Sequence, residues 1–316
     1  MVETVVSVGL AVDEKLIIKK NRLVPINPTG NEKRICIVTG IHGDELEGQY
    51  VCYELIRRIK ENIQFLNGVV DIYPALNPLG IDSVHRGMPT FDLDMNRIFP
   101  GSENGAMAEH IAAKIVEDID GTDICVDVHS SNIFLREIPQ VRISEDVVEQ
   151  LLPYAKVLNT DFIWVQPTAT VLESTLAHNL NKMNIPTLVV EMGVGMRITK
   201  EYSKQIVSGI FNLMKEFNIW IGKVEEINNQ PIISTDREVS FVNANSSGIF
   251  IPCVDHWNGI KMGDHMGDIL NPLTGEIEEK IFASCDGMIF TLREYPVVYS
   301  GSLIARILGG AKWEKK

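Results

Sequence analysis

A short apolar run at residues 35–39, followed by two glycines, constrains the fold of this chain more than any other stretch. The run is rich in β-branched residues and predicts a buried β-strand. Gly40 and Gly43 end the strand, and apolar residues follow at helical spacing: Tyr50, Val51, Leu55, Ile56 and Ile59. A strand that turns tightly into a helix is typical of α/β sheets, which bind ligands at the carboxyl ends of their strands.

His42 and Glu45 lie on this predicted turn. A neutral imidazole and a carboxylate three residues apart can bind one Zn²⁺ ion from such a loop. The alternative is a structural turn, in which Asp44 caps the helix and the histidine makes an ordinary hydrogen bond. These residues alone do not decide between the two interpretations.

The alternation of strands and helices continues through the first 224 residues. One or two strands are expected over residues 4–25, before the run already described. Further strands are predicted at 69–74, 124–129 and 186–193, and helices at 106–118, 145–157 and 200–217. We therefore expect an α/β domain over residues 1–224, with its sheet covered by helices on both faces.

Residues 225–316 have a different character, with short strands and turns and no helical pattern. A weak repeat starts at Gly248 and again at Gly287, and an Ile-Leu pair follows each start at a similar distance. Two such units predict a small all-β sandwich or barrel, which resembles the barrel-sandwich fold of biotinyl/lipoyl carriers. The turn at 271–275 contains no lysine, so a covalent cofactor carrier is not expected.

The overall charge and the cysteines limit the partners of the chain. The formal net charge of −13 over 316 residues argues against a nucleic-acid partner, although it admits a small anionic substrate. No apolar window is long enough to span a membrane, and the amino terminus does not have the pattern of a signal peptide. The five cysteines include no Cys-x-x-Cys pair, which favours reduced thiols. We expect a cytoplasmic protein without membrane partners, and the sequence leaves a homo-oligomer open.

Three predicted strand ends carry residues suited to metal-assisted hydrolysis. His42 and Glu45 follow the first strand, His129 ends the second, and Glu191 lies near the end of the third. Three protein ligands leave the fourth position of a zinc ion to water, which is the catalytic pattern for this metal. Glu191 is the candidate general base and acid, with a carboxylate that only caps its strand as the alternative.

The segment from 80 to 105 has little periodicity, which is typical of a functional loop. It contains Arg86, Asp94, Asn96 and Arg97. A guanidinium beside an amide suits a substrate carboxylate, and Asp94 could accept a hydrogen bond from a ligating imidazole. A solvated loop is the alternative interpretation.

Four short motifs occur together in a fixed order: His42-Gly43-Asp44-Glu45, Asp94-x-Asn96-Arg97, Asp127-x-His129 and Glu191-x-Gly193. Over about residues 30–220 the chain thereby resembles the succinylglutamate desuccinylase/aspartoacylase family, which belongs to the zinc carboxypeptidase-like hydrolases. The resemblance implies a zinc-carboxypeptidase-like α/β/α domain with a central mixed sheet. A smaller carboxyl-terminal β domain is also a feature of the family.

The resemblance also implies roles for individual residues. One zinc ion per chain would be bound by His42, Glu45 and His129, and Glu191 would be the catalytic glutamate. Asn96 and Arg97 would bind a substrate carboxylate, Asp94 would steady His42, and Arg86 would polarise the scissile carbonyl. Members of the family also contribute a tyrosine from the carboxyl-terminal domain, for which Tyr295 and Tyr299 are the candidates.

We therefore expect a zinc-dependent deacylase that hydrolyses the amide bond of a small N-acyl amino acid or related carboxylate. One alternative is a zinc carboxypeptidase or ester hydrolase that acts on peptide or cell-wall fragments, and another is a catalytically inactive binding protein. A serine hydrolase is not expected, since the chain has no Gly-x-Ser-x-Gly motif. The other histidines are expected outside the metal site: His110 and His178 in packing or on the surface, His85 in the loop beside Arg86, with a place in the pocket wall as the alternative, and His256 and His265 in the β domain.

Overall fold

The computed structural model describes residues 1–227 and 230–309, apart from the side chain of Val171. The strands of this part are β1 Val2–Gly9, β2 Lys15–Leu23, β3 Arg34–Thr39, β4 Val69–Tyr73, β5 Ile124–Ser130, β6 Leu135–Ser144, β7 Phe162–Gln166, β8 Thr187–Gly193, β9 Ile232–Thr235, β10 Val239–Asn243, β11 Gly248–Pro252, β12 Gly259–Ile260, β13 His265–Asn271, β14 Glu276–Phe282, β15 Gly287–Arg293, β16 Val297–Val298 and β17 Leu303–Gly309. Its α-helices are α1 Glu47–Glu61, α2 Pro78–Ser83, α3 Met107–Ile119, α4 Val148–Ala155, α5 Leu176–Lys182 and α6 Lys200–Glu216.

A large mixed sheet forms the centre of the molecule, which confirms the predicted α/β class. Its strands follow the order β1-β2-β4-β3-β5-β8-β6-β15-β17-β10. At its centre β3, β4, β5 and β8 are parallel, whereas β2 and β6 are antiparallel to their neighbours β4 and β8. The parallel strands are apolar on both faces, as expected for strands that helices cover on both sides.

Successive residues of β3 point to opposite faces of the sheet. Ile35 and Ile37 pack in a core that also contains buried side chains of α1, α4 and α6. Cys36 and Val38 pack in a second core with α3 and α5. The helices therefore cover both faces, as predicted. Because Val128 of β5 belongs to the first core, its neighbour His129 faces the α3 and α5 side.

Most of the predicted elements are present with small changes at their ends. The predicted opening strands are β1 and β2, and the predicted helices at 106–118 and 200–217 are α3 and α6. The helix predicted at 145–157 was too long, because residues 145–147 form a 3-10 turn and the α-helix covers only Val148–Ala155. The sequence analysis did not identify β6 or β7, and it gave no bounds for α5, although His178 lies on a helical pattern.

The strands from β10 onwards pair antiparallel and lie in two sheets, whereas β9 pairs in parallel with β7. β11 pairs with β13 through Phe250 and Ile269, and β15 pairs with β17 through Ile289 and Ile307. These equivalent pairings confirm the predicted internal repeat. A sheet of four strands has the order β14-β13-β11-β16, and its buried side chains share a core with those of β15 and β17.

The large sheet contains strands from both sides of the predicted domain boundary between residues 224 and 225. β15 pairs with β6 of the first region, and β9 pairs with β7. The two regions are thus joined through main-chain hydrogen bonds, and their division into separate domains stays a prediction. In the described part of the chain, no helix is long and apolar enough to cross a membrane.

Candidate metal centre and active site

The turn after β3 holds two of the predicted site residues against the next loop. Gly40 has a φ of 66°, a backbone conformation that favours glycine. A Cβ added at Gly43 would lie only 2.0 Å from the carbonyl carbon of Gly80. This close approach fixes the turn against α2, and it directs His42 and Glu45 into the molecule, where both are buried.

The three predicted metal ligands converge on one point. His42 Nδ1 lies 2.7 Å from one oxygen of the Glu45 carboxylate, and His129 Nδ1 lies 2.9 Å from the other. One nitrogen or oxygen ligand atom from each residue lies within 4.8 Å of the other two. We refer to these three residues as the histidine cluster. The structure thereby brings together the residues that the sequence analysis assigned to the metal.

Each histidine of the cluster has a second carboxylate behind it. His42 Nε2 lies 3.0 Å from Asp94 Oδ1, and His129 Nε2 lies 3.1 Å from Asp127 Oδ2. Carboxylates in this position orient imidazoles that bind metals and fix their tautomer. Asp94 was predicted in this role for His42. Asp127 was not assigned a role, although it belongs to the Asp127-x-His129 motif.

The ionisation of the cluster follows from its burial and its charges. Burial alone would raise the pKa of Glu45, but the neighbouring His129 and His42 hold it well below its usual range. Burial would lower the pKa of His129, whereas Asp127 and Glu45 raise it well above its usual value. Burial acts to raise the pKa of Asp94, but the hydrogen bond and charge of His42, together with Arg86 and the backbone N–H of Asn96, lower it to about 2. The cluster therefore holds an ionised carboxylate between two imidazoles.

The donor set fits a metal ion. Two imidazole nitrogens and one carboxylate are the ligands of catalytic zinc sites. His42 Nδ1 is buried, and its 2.7 Å contact with Glu45 Oε1 does not have the geometry of a hydrogen bond, although buried polar nitrogens are normally paired. A cation at the point of convergence would satisfy this nitrogen, so the arrangement is suited to holding a metal.

Glu191 lies beside the histidine cluster. It pairs in register with His129 across β8 and β5, which brings the two residues to the same edge of the sheet. Its carboxylate accepts a hydrogen bond from Arg142 Nη1 at 3.2 Å. Burial raises the pKa of Glu191 to about 7, even though Arg142 and His129 act to lower it. A carboxyl group with a pKa near neutrality can both accept and donate a proton at physiological pH.

A second cluster of charged residues lies on the other side of Glu191 from the metal ligands. Glu137 is 1% exposed, and its carboxylate contacts Arg142, Gln140 and Arg306. We call these four residues the Glu137 cluster. The sequence analysis missed all of them, because Arg142 and Glu137 lie on an unpredicted strand and Arg306 comes from β17.

The loop residues reach the site as predicted. Arg86 donates a hydrogen bond to Glu45 Oε1 at 2.8 Å and lies 3.1 Å from His42 Nε2. Asn96 is buried, and its Oδ1 accepts a hydrogen bond from the backbone N–H of Leu176 at the start of α5. This bond fixes the amide group and leaves its N–H donors available. Arg97 is exposed and donates to the backbone oxygen of Asn96.

These side chains line one cavity of about 600 Å³ between the sheet and α5. Its wall includes the histidine cluster, Arg86, Asn96, Arg97 and Glu191, together with residues of the Glu137 cluster. The wall also includes His178, which the sequence analysis had placed in packing or on the surface. Neither Tyr295 nor Tyr299 lies in the wall described here, and the two are 44% and 68% exposed.

The remaining histidines lie away from the histidine cluster. His85 contacts Asp92 at 3.6 Å, and His110 bonds to the backbone of Glu103. His265 lies 2.8 Å from Asp268, on the carboxyl-terminal sheet. His256 bonds to the backbone oxygen of Phe290, and burial lowers its pKa to about 4. Within the described residues, none of these four histidines belongs to a group of three side chains that could hold a metal ion.

Comparisons with known proteins identify relatives of this chain. Residues 31–217 match the family model of the succinylglutamate desuccinylase/aspartoacylase catalytic domain. The chain is 24% identical over 295 residues to N-alpha-acetyl-L-2,4-diaminobutyric acid deacetylase from Halomonas elongata, an alignment that covers 90% of this chain and 84% of the relative.

Solved structures share the fold. The product-bound ectoine utilization protein EutE (DoeB) from Ruegeria pomeroyi has a TM-score of 0.81 at 19% identity, covering 97% of this chain and 94% of that one. A succinylglutamate desuccinylase/aspartoacylase from Rhodobacter sphaeroides has a TM-score of 0.81 at 21% identity, covering 98% and 96%. The whole described chain, including its carboxyl-terminal region, thus has counterparts of the same fold.

Proposed function

Because this chain belongs to the succinylglutamate desuccinylase/aspartoacylase family, we propose that it is a zinc-dependent deacylase. It would hydrolyse the amide bond of a small N-acyl amino acid or related carboxylate. The observation that carries the proposal is the convergence of His42, Glu45 and His129 within 4.8 Å, beside a glutamate whose pKa is about 7. These three residues would hold one zinc ion per chain.

A bound zinc ion would activate water and polarise the substrate's carbonyl group. Glu191 would carry out the proton transfers. Since Arg142 holds Oε1, Oε2 is the oxygen left to take a proton from the attacking water and to deliver it to the leaving nitrogen. A pKa of about 7 allows the group to act in both directions.

The residues of the 80–105 loop would bind the substrate. Asn96 is held through its Oδ1, so its N–H groups can donate to a substrate carboxylate, and the Arg97 guanidinium can add a charged donor. Arg86 lies close enough to the histidine cluster to donate to an oxygen that gains charge during the reaction. The relative from Halomonas elongata is named for an N-acetylated amino acid, which supports a substrate of this class.

The cavity volume favours a second candidate. A cavity of about 600 Å³ is larger than a small acetylated amino acid needs. It supports the alternative of a zinc carboxypeptidase or ester hydrolase that acts on peptide or cell-wall fragments. Both candidates use the same metal site, so the substrate panel below includes both classes.

The finer points of organisation are proposals as well. We propose a catalytic domain over residues 1–224 and a barrel-sandwich β domain over residues 225–316, of which residues 228, 229 and 310–316 lie outside the described part. We also propose that the enzyme works in the cytoplasm on a small anionic substrate, without nucleic-acid or membrane partners.

The first experiment is elemental analysis of the purified protein, followed by assay. We expect about one zinc ion per chain, loss of the metal in His129→Ala, and retention of it in the control His110→Ala. Release of free amine from N-acyl amino acids is then compared with cleavage of carboxyl-terminal peptides and esters. If the wild-type protein binds no metal even after incubation with zinc, the proposal is wrong and the binding-protein alternative leads.

A further inference from the structure

We propose that Arg142 and Arg306, acting through Glu137, are positioning residues for Glu191, and that Arg306 is the contribution of the carboxyl-terminal region to the active site. The inference rests on the proposed function, because it assigns Glu191 to the proton transfers. It gives the last strand of the described chain a role in turnover as well as in packing.

Arg142 is placed to fix the orientation of the Glu191 carboxylate. It lies on β6, which runs antiparallel to β8, and its Nη1 donates to Glu191 Oε1 at 3.2 Å. Its Nη2 donates to Glu137 Oε2 at 2.6 Å, so one guanidinium joins two carboxylates. Within the described residues, Arg142 is the only hydrogen-bond donor recorded for the Glu191 side chain. The orientation of the proposed base therefore depends on this arginine.

Glu137 holds Arg142 in turn. Its Oε2 also accepts a hydrogen bond from Gln140 Nε2 at 3.0 Å, and its Oε1 accepts one from Arg306 Nη1. Thr291 Oγ1 lies 3.5 Å from Oε1. Because every partner is itself buried or half-buried, the Glu137 carboxylate has little freedom to rotate.

An aromatic ring fixes the two guanidinium groups as well. Arg142 and Arg306 lie 5.5 Å and 5.3 Å from the ring of Trp164. Stacking on indole favours the planar guanidinium over the compact ammonium of lysine. A continuous series of hydrogen bonds therefore runs from Arg306 on β17 through Glu137 and Arg142 to Glu191. The Trp164 ring restricts the orientation of both guanidinium groups in this series.

The experiment measures kcat, KM and zinc content for a set of arginine variants. In Arg142→Ala we expect kcat to fall up to about 100-fold, with KM and zinc content unchanged, because a misoriented base affects the reacting state alone. Added guanidinium ion should restore at least part of the lost rate, whereas Arg142→Lys should restore less. Arg306→Met should lower kcat by a smaller factor. Arg293→Met is the matched control, since this arginine also stacks on an aromatic ring, Phe134, and is expected to leave kcat unchanged.

The double variant tests whether both arginines act through one route. In the Arg142→Ala background, Arg306→Met should have no further effect on kcat. Independent effects of the two substitutions would overturn the proposal. A normal kcat in Arg142→Ala would also overturn it. The same holds if Arg142→Ala loses both rate and zinc and guanidinium does not restore the rate. If Arg142→Ala does not fold, Arg142→Lys and Arg306→Lys carry the same comparison.

A failure of the proposed function gives a different result. In that case the wild-type protein hydrolyses no member of the panel, and the arginines are compared by urea unfolding instead. If the double variant Arg142→Lys/Arg306→Lys loses a free energy of unfolding that differs from the sum of the losses in the two single variants, the result supports coupling of the arginines through Glu137. Additive losses would overturn it.

Discussion

The histidine cluster and the Glu137 cluster line the same cavity, but they balance their charges differently. In the histidine cluster one carboxylate faces two imidazoles, and the close contact of His42 Nδ1 with that carboxylate lacks hydrogen-bond geometry. In the Glu137 cluster both carboxylate oxygens accept hydrogen bonds from guanidinium groups. The ligand atoms of the first set could hold a cation, whereas the carboxylate of the second is already paired with two guanidinium groups.

This difference indicates what each cluster does. A buried ion pair in which both carboxylate oxygens are used is costly to break from either side. We therefore expect changes in the histidine cluster to affect metal binding and rate, and changes in the Glu137 cluster to affect stability as well. Glu191 lies between the two.

The largest expected effect tests Glu191 itself. Glu191→Gln removes the group that carries the proton and retains its shape, so kcat should fall by about 10²- to 10⁴-fold. Zinc content and the melting temperature should match those of the wild type. Glu145→Gln, at an exposed position, serves as the control. A variant with more than half of the wild-type rate would remove Glu191 from the reaction.

A change in the Glu137 cluster should appear first in stability. Glu137→Gln leaves two guanidinium groups without their carboxylate, which should lower the free energy of unfolding by about 3–5 kcal/mol. Urea denaturation measures the change. The control is Glu61→Gln, which removes an exposed ion pair with Arg57 and should cost about 1 kcal/mol or less. Equal losses in the two variants would show that burial of the Glu137 pair contributes little.

A smaller effect is expected behind the histidine cluster. Asp94→Asn replaces the carboxylate that lies 3.0 Å from His42 Nε2, and the affinity for zinc should fall by about 10- to 100-fold. Competition with a chelator measures the dissociation constant. Asp92→Asn, in the same loop but 92% exposed in its side chain, is the control and should bind zinc as the wild type does. Unchanged affinity in Asp94→Asn would leave Asp94 without a role at the metal.

The smallest effect concerns a buried group outside both clusters. Burial lowers the pKa of His256 to about 4, below its value near 6.5 in the unfolded chain, so the unfolded state takes up the proton first. This contribution to the free energy of unfolding is fully present above about pH 6.5 and is lost as the pH falls. The free energy of unfolding should therefore decrease by about 2 kcal/mol between pH 8 and pH 5 because of this histidine. Urea unfolding at several pH values should show a flatter profile for His256→Gln. An exposed histidine substituted as a control, His110→Gln, should leave the profile unchanged.

The histidine cluster could be predicted because its information is local. His42 and Glu45 are three residues apart on a turn that two glycines define, and His129 and Glu191 each end an apolar run. The carboxyl ends of neighbouring parallel strands lie at one sheet edge, which brings these residues together. The pairing of His129 with Glu191 is a direct result of that arrangement.

The Glu137 cluster could not be predicted in this way. Arg142 and Glu137 lie on β6, where Pro139 interrupts the apolar pattern, and Arg306 comes from a strand far along the chain. Their contact depends on the pairing of β15 with β6 and with β17, which no short motif records. His178 was missed at the cavity wall for a related reason, since the side of α5 that faces the cavity depends on the sheet beneath the helix.

The pairing of β6 with β15 also has a consequence for synthesis of the protein. Roughly 150 residues separate the two strands, so the ribosome needs about 10 to 30 s to produce the second after the first has emerged. During this interval the edge of β6 at Leu135–Glu137 has no neighbour on that side. An open strand edge invites pairing with another nascent chain, and a charged residue on it disfavours such contacts. A charge on this edge, such as that of Glu137, is therefore expected to disfavour pairing with other chains before β15 is made.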